Sequence, residues 1–149
     1  MPHFGLMSTK DSFQTEEGAL LRARLHIRGG KRRLRQGKIS SGLVTLYDAL
    51  LFALRWYVFS PLRRKGLGIT TQENFSDEKK IFELIKNSKV LQVDFDYEAF
   101  DTLLEKALIE EMPDYDYAPV LRDFEVFMTA LGVMPFDEAD LPPEDPATF

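Results

Sequence analysis

Few side chains in this chain are equipped for chemistry. Its 149 residues include no cysteine and only two histidines, His3 and His26. A thiolate metal site, a disulfide framework and a cysteine nucleophile are therefore excluded together. What stands out is cationic. Residues 29–42, "GGKRRLRQGKISSG", carry Lys31, Arg32, Arg33, Arg35 and Lys38 among four glycines, and run directly into the apolar segment "LVTLYDALLFALRWYVF". Clustered guanidinium and ammonium groups bind phosphate or carboxylate. With Arg22 and His26 upstream and Arg63, Arg64 and Lys65 downstream, they make one candidate basic surface.

A phosphate-cradling loop is a poor description of that stretch. Such a loop needs a glycine, four residues, then Gly-Lys-Ser/Thr, so that amides wrap the phosphate and the hydroxyl holds magnesium. Here Gly37-Lys38 precedes Ile39, and Arg32 stands where the first glycine belongs. "DFDYEAFDTLLE" similarly sets Asp94, Asp96, Glu98 and Glu105 in a calcium-loop register, but Ala99 occupies the position where the sharp turn demands glycine. No metal and no cofactor is expected. His26 follows Arg22 by four residues and reads as a surface or capping histidine of one helix face. The remaining candidate is a pocket in the apolar segment. Asp48 and Arg55 lie seven residues apart, on one helix face, and with Tyr47 and Trp56 are expected either to line a ligand pocket or to form a buried pair.

The elements that must position these residues read as helices. The spacing of Ala19, Leu20, Ala23 and Ile27 predicts a first helix over residues 14–28, capped by Thr15. Gly29-Gly30 should end or weaken it before a last cationic turn, with Gly37 as C-terminal cap. A second helix over residues 40–59 is apolar nearly all round, capped by Ser40 or Ser41 and stopped at Ser60-Pro61; it should be the central helix of a bundle. Its length, together with Asp48 and Arg55, argues for a buried core helix and against a membrane span. "PLRRKGLGITTQEN" reads as a basic connection. Three further helices follow: one capped by Ser76, one starting near Asp96, and one running from residue 118 to a stop at Gly132. Residues 135–149, with four prolines and five acids, predict a mostly disordered acidic tail. The expectation is thus an all-α domain of about five helices over residues 14–134, between a flexible N-terminus, 1–13, and the tail, 135–149.

The helix followed by "GKISSGLVTLYDALLFALRWYVF" resembles the start of HEPN-type helical bundles, over roughly residues 15–60. Those bundles accompany nucleotidyltransferases or act as RNases in toxin–antitoxin pairs. Their RNase members carry an arginine, four to six residues, then a histidine; Arg22 and His26 leave three residues between them. The resemblance therefore implies a member without that nuclease site, and points to the substrate- or partner-binding members.

Charge distribution bears on partners. Residues 1–93 hold 17 Lys+Arg against 8 Asp+Glu, and residues 94–149 hold 2 against 16. The acidic part is expected to neutralise the basic part, within the fold or across a homodimer. The N-terminus shows no basic start before an apolar core, so no secretion signal is expected, and a cytoplasmic location is. Together these features favour a non-catalytic binding or adaptor domain acting on a protein partner or itself, with nucleic-acid or nucleotide binding through the same cations as the alternative.

Overall fold

The computed structural model describes residues 15–69 and 77–148 and is an all-α bundle, with no strand among the described residues. Its helices are α1 (Glu16–Arg35), α2 (Ile39–Phe59), α3 (Pro61–Gly66), α4 (Glu78–Ser88), α5 (Tyr97–Ile109) and α6 (Ala118–Leu131). Single 3-10 turns at Glu138–Asp140 and Pro146–Thr148 follow. The expected flexible N-terminus with His3, and the Ser76 cap, lie outside the described residues.

Local chemistry accounts for most boundaries. The Thr15 hydroxyl accepts from the Gly18 amide at 2.9 Å, and Glu16 and Glu17 sit on the positive end of α1. Three arginines occupy its last turn, and Gly37, at φ 81°, supplies the left-handed residue just beyond it. α2 begins at Ile39 without a side-chain cap. Ser40 is instead spent on α5: its hydroxyl donates to the Glu110 carbonyl at 2.6 Å. Ser60 ends α2 in extended conformation, and Pro61 then opens α3, where its missing N–H costs nothing. That short helix falls where the sequence suggests only a connection; six residues give too little periodicity to read. Asp77 and Asp96 cap α4 and α5, and Gly132, at φ 99°, closes α6.

One expectation fails at Gly29-Gly30. α1 does not stop or weaken there but runs unbroken to Arg35. Gly30 lies against Gly42 of α2: a β-carbon on Gly30 would stand 2.8 Å from Leu46 Cδ2, and one on Gly42 2.7 Å from Leu34 Cδ2. They are the point of closest approach of the two longest helices, which outweighs their low helix propensity of about 1 kcal/mol each.

α2 is central, as its composition predicts. Leu43, Leu46, Leu50 and Leu54 are fully buried, and α1, α4, α5 and α6 all pack on it. By length and composition it is the one helix among the described residues apolar enough to cross a membrane; 61% of its most apolar window is buried inside the bundle. An aromatic cluster closes the other side, with Phe95 stacked on Phe127 at 5.2 Å and Phe82 edge-on to Phe127 at 5.5 Å.

The described part of the tail is irregular in backbone and touches the bundle at a few points. Beyond its two short turns it has no helix, as its prolines dictate. Yet Phe136 packs on the core, as Val133 and Met134 do just before the tail, and residues 142–144 are held by α1. A basic helix face gives an acidic, proline-stiffened segment something to dock on, which composition alone does not reveal.

Candidate functional site

The site is built on α1. Arg24, Arg28 and Arg32 recur every four residues and so stand in one row along the helix. Each holds a successive part of the C-terminal strap. Arg24 Nε donates to the Val133 carbonyl at 3.0 Å while its guanidinium lies 5.4 Å from the Phe136 ring centre. Arg28 Nη2 donates to the Pro142 carbonyl at 2.7 Å. Arg32 Nε is shared between the two carboxylate oxygens of Glu144, at 3.2 and 3.1 Å. Arg28 Nε also lies 3.9 Å from Glu144 Oε1.

The lower half of this row opens on a cleft of about 480 Å³ between α1, α2 and the end of α5. Its lining includes Gly29, Arg32, Arg33, Asp48, Leu108 and Glu144, with Arg28 beside them. Arg33 Nη1 donates to the Thr45 hydroxyl at 3.2 Å, which in turn donates to the Ser41 carbonyl at 2.8 Å. Burial, and then repulsion from Arg32, lowers the Arg33 pKa from its ordinary value, an effect Glu144 partly offsets. Guanidinium groups do not deprotonate in proteins. The shift instead records that crowded, partly dehydrated cations here are eased by a carboxylate. Asp48 faces the same cleft, and burial raises its carboxyl pKa above the ordinary value. The cleft therefore sets three guanidinium groups beside Glu144 and a second carboxyl, Asp48, whose ionisation burial disfavours.

The residues singled out from sequence are distributed unevenly around this site. Arg32 and Arg33 line it, and so does His26, though not at the surface: it is 3% exposed, its Nδ1–H donates to the Arg22 carbonyl at 2.8 Å, and its ring lies 5.3 Å from that of Phe52. Arg22 is also buried, its guanidinium 5.4 Å from the Phe52 ring centre. Lys31 pairs with Glu125 of α6 at 3.0 Å. Arg35 and Lys38 are exposed at the α1–α2 joint. Arg63 belongs to the fold: it donates to the carbonyls of Tyr57 (2.7 Å) and Trp56 (3.0 Å), pairs with Glu16 (2.6 Å), and lies 4.1 Å over the Trp56 ring. Arg64 is half-buried in α3, away from the cleft, and Lys65 is exposed beside it.

Tyr47, Asp48, Arg55 and Trp56 turn to different neighbours. The Tyr47 hydroxyl donates to Asp101 Oδ1 at 3.0 Å and lies 3.2 Å from that of Tyr97. Arg55 pairs with Glu78, and Trp56 with Arg63. Only Asp48 reaches the cleft. Successive side chains on a helix packed from several sides serve different neighbours, and the seven-residue spacing does not say which.

Arg24, Arg28 and Glu144 were not singled out, although the four-residue arginine period was there to be read. No cluster of three or more metal-ligating side chains occurs among the described residues. No family model, curated protein or solved structure matches this chain.

Proposed function

We propose that this chain is a non-catalytic helical binding domain that engages a protein partner, or a second copy of itself, through the guanidinium-rich face of α1. The observation that carries this reading is what those cations already hold. Arg32 takes a carboxylate, Arg28 a backbone carbonyl, and Lys31 a second carboxylate from α6. This is protein-recognising chemistry, in which planar guanidinium forks read carboxylates and peptide carbonyls. The resemblance to partner-binding HEPN-type bundles belongs to the same proposal.

Nucleic-acid binding through these cations is the competing outcome. Titration with single-stranded RNA, duplex DNA and nucleoside triphosphates across salt concentrations separates the two. The expected result is weak, unselective binding that falls steeply with salt. Tight nucleotide- or sequence-selective binding at physiological salt, abolished by replacing Arg32 and Arg33 with Ala, would show that the basic face serves nucleic acid instead.

A further inference from the structure

We infer that Arg28 and Arg32, at the edge of the cleft, are a receptor for an extended acidic segment of a partner protein, and that residues 142–144 of this chain hold them as a built-in competitor. The inference rests on the proposed protein-binding function and adds the chemistry of the ligand and its control.

The tail displays the recognition pattern. Arg28 reads a backbone carbonyl at Pro142, and Arg32 reads the carboxylate two residues further on, at Glu144. Residues 142–145 form no helix or turn, and two consecutive prolines, Pro142 and Pro143, favour an extended backbone there. The ligand class is therefore an extended acidic peptide, proline-containing or otherwise held straight. The pair is well sheltered, the Arg32 and Glu144 side chains being 10% and 19% exposed, so the contact is more than a loose surface ion pair.

The tail is nonetheless an incomplete occupant. Arg33 turns to Thr45 and makes no hydrogen bond to the tail among the described residues, while its pKa shows that burial and Arg32 weigh on it. Leu108, on the cleft wall, remains 63% exposed, and Ile109 beside it 85%. A partner segment that adds a second carboxylate for Arg33 and an apolar side chain for Leu108 makes contacts the tail does not. The tail competes by tethering: attached at Val133 and Phe136, it acts at the high effective concentration of an intramolecular ligand.

The experiment uses the full chain. A fluorescein-labelled peptide of residues 137–148 is titrated by anisotropy against the parent protein, Glu144→Lys, and Glu138→Lys as a control. Glu138 is exposed on the same tail outside the cleft, so both variants change the charge equally. If the tail holds Arg28 and Arg32 nine-tenths of the time, the parent's apparent affinity is about tenfold below the intrinsic one. Glu144→Lys should then bind the peptide roughly tenfold tighter than the parent, with Glu138→Lys within about twofold of it. Adding Arg32→Ala to Glu144→Lys should remove the binding. Equal binding by parent and Glu144→Lys would overturn the built-in competitor while leaving the protein-binding function standing. Equal gains in both lysine variants would reduce the effect to general charge, and no binding by any folded variant would overturn the acidic ligand; either sinks the inference. Should Glu144→Lys fail to fold, as its thermal melt would reveal, Glu144→Gln is measured in its place against the same outcomes.

Discussion

A β-carbon added to Gly30 would lie 3.3 Å from the carbonyl oxygen of Gly42, and one added to Gly42 would lie 3.1 Å from that of Gly30. The two glycines thus let α1 and α2 approach along their backbones, with Leu34 and Leu46 wedged on either side. This crossing brings Arg33 within reach of Thr45 and gives the cleft its two walls.

Gly30→Ala and Gly42→Ala should each destabilise the protein by about 1–3 kcal/mol through overpacking, despite alanine's better helix propensity. Gly29→Ala provides the contrast. Its nearest neighbours would be the ends of flexible side chains, Arg33 Nη1 at 3.3 Å and Glu144 Oε1 at 3.6 Å. That variant should stay within about 1 kcal/mol of the parent. Urea midpoints of the three variants check the ordering, and a destabilised Gly29→Ala beside a neutral Gly30→Ala would reverse it.

The legibility of the sequence follows from the range of the forces involved. Capping at Thr15, the helix start near Asp96, the stops at Gly37, Pro61 and Gly132, and the central place of α2 are local or compositional, and they could be read directly. Gly29-Gly30 was misleading because a helix-weakening residue and a helix-crossing residue are the same residue; only the partner helix tells them apart. The cations of residues 22–38 were visible as a group, but their division was not. Whether an arginine faces solvent, as Arg35 does, or lies buried beside an aromatic ring, as Arg22 does, depends on tertiary neighbours. The opposed charges of the two chain halves did foreshadow a neutralising contact, which Glu125 and Glu144 supply.

Leu50 tests the centrality of α2. It is fully buried where α2 is surrounded by other helices. Leu50→Ala should cost about 2–5 kcal/mol from lost transfer free energy plus the cavity left behind. A chemical-denaturation midpoint matching the parent's would be incompatible with that position in the core.

Arg63 should matter to stability and not to ligand binding. Its guanidinium joins two carbonyls at the end of α2 to Glu16 at the start of α1, over the Trp56 ring. Arg63→Ala leaves those acceptors without their donor and should destabilise by about 1–3 kcal/mol. Arg63→Lys should recover only part of this, because an ammonium cannot reproduce the fork or the stacking. Peptide affinity in the Glu144→Lys background should be unchanged by either substitution, since Arg63 does not line the cleft.

Asp48 gives a pH signature. Burial raises its folded-state pKa above the ordinary 3.8, so the folded state binds the proton more tightly than the unfolded state does. Its ionisation therefore works against folding. The cost is absent below pH 3.8, grows as pH rises toward the folded-state pKa, and is fully present above it. Asp48→Asn should gain stability relative to the parent at neutral pH and lose that advantage near pH 3. Parallel stability–pH curves for the two proteins would mean that folding leaves the Asp48 pKa unchanged and that burial does not weigh on its ionised form.

Two truncations separate the structural and the occluding parts of the strap. Removing residues 137–149 takes away Glu144 and the Pro142 carbonyl but leaves Val133 and Phe136 on Arg24. The lost contacts are largely an ion pair and a hydrogen bond at a partly exposed site, together about 1–2 kcal/mol. For a domain of this size the melting temperature should fall by only a few degrees, about 2–4 °C per kcal/mol. Removing residues 134–149 also strips Met134 and Phe136 from the core surface and leaves Val133 at a free chain end. Partly burying two such side chains contributes about 1.5–3 kcal/mol, so the longer truncation should melt distinctly lower than the shorter one. Differential scanning calorimetry compares them directly. Equal melting temperatures would place the strap's whole contribution beyond residue 136, and the anchoring role given to Arg24 and Phe136 would fall.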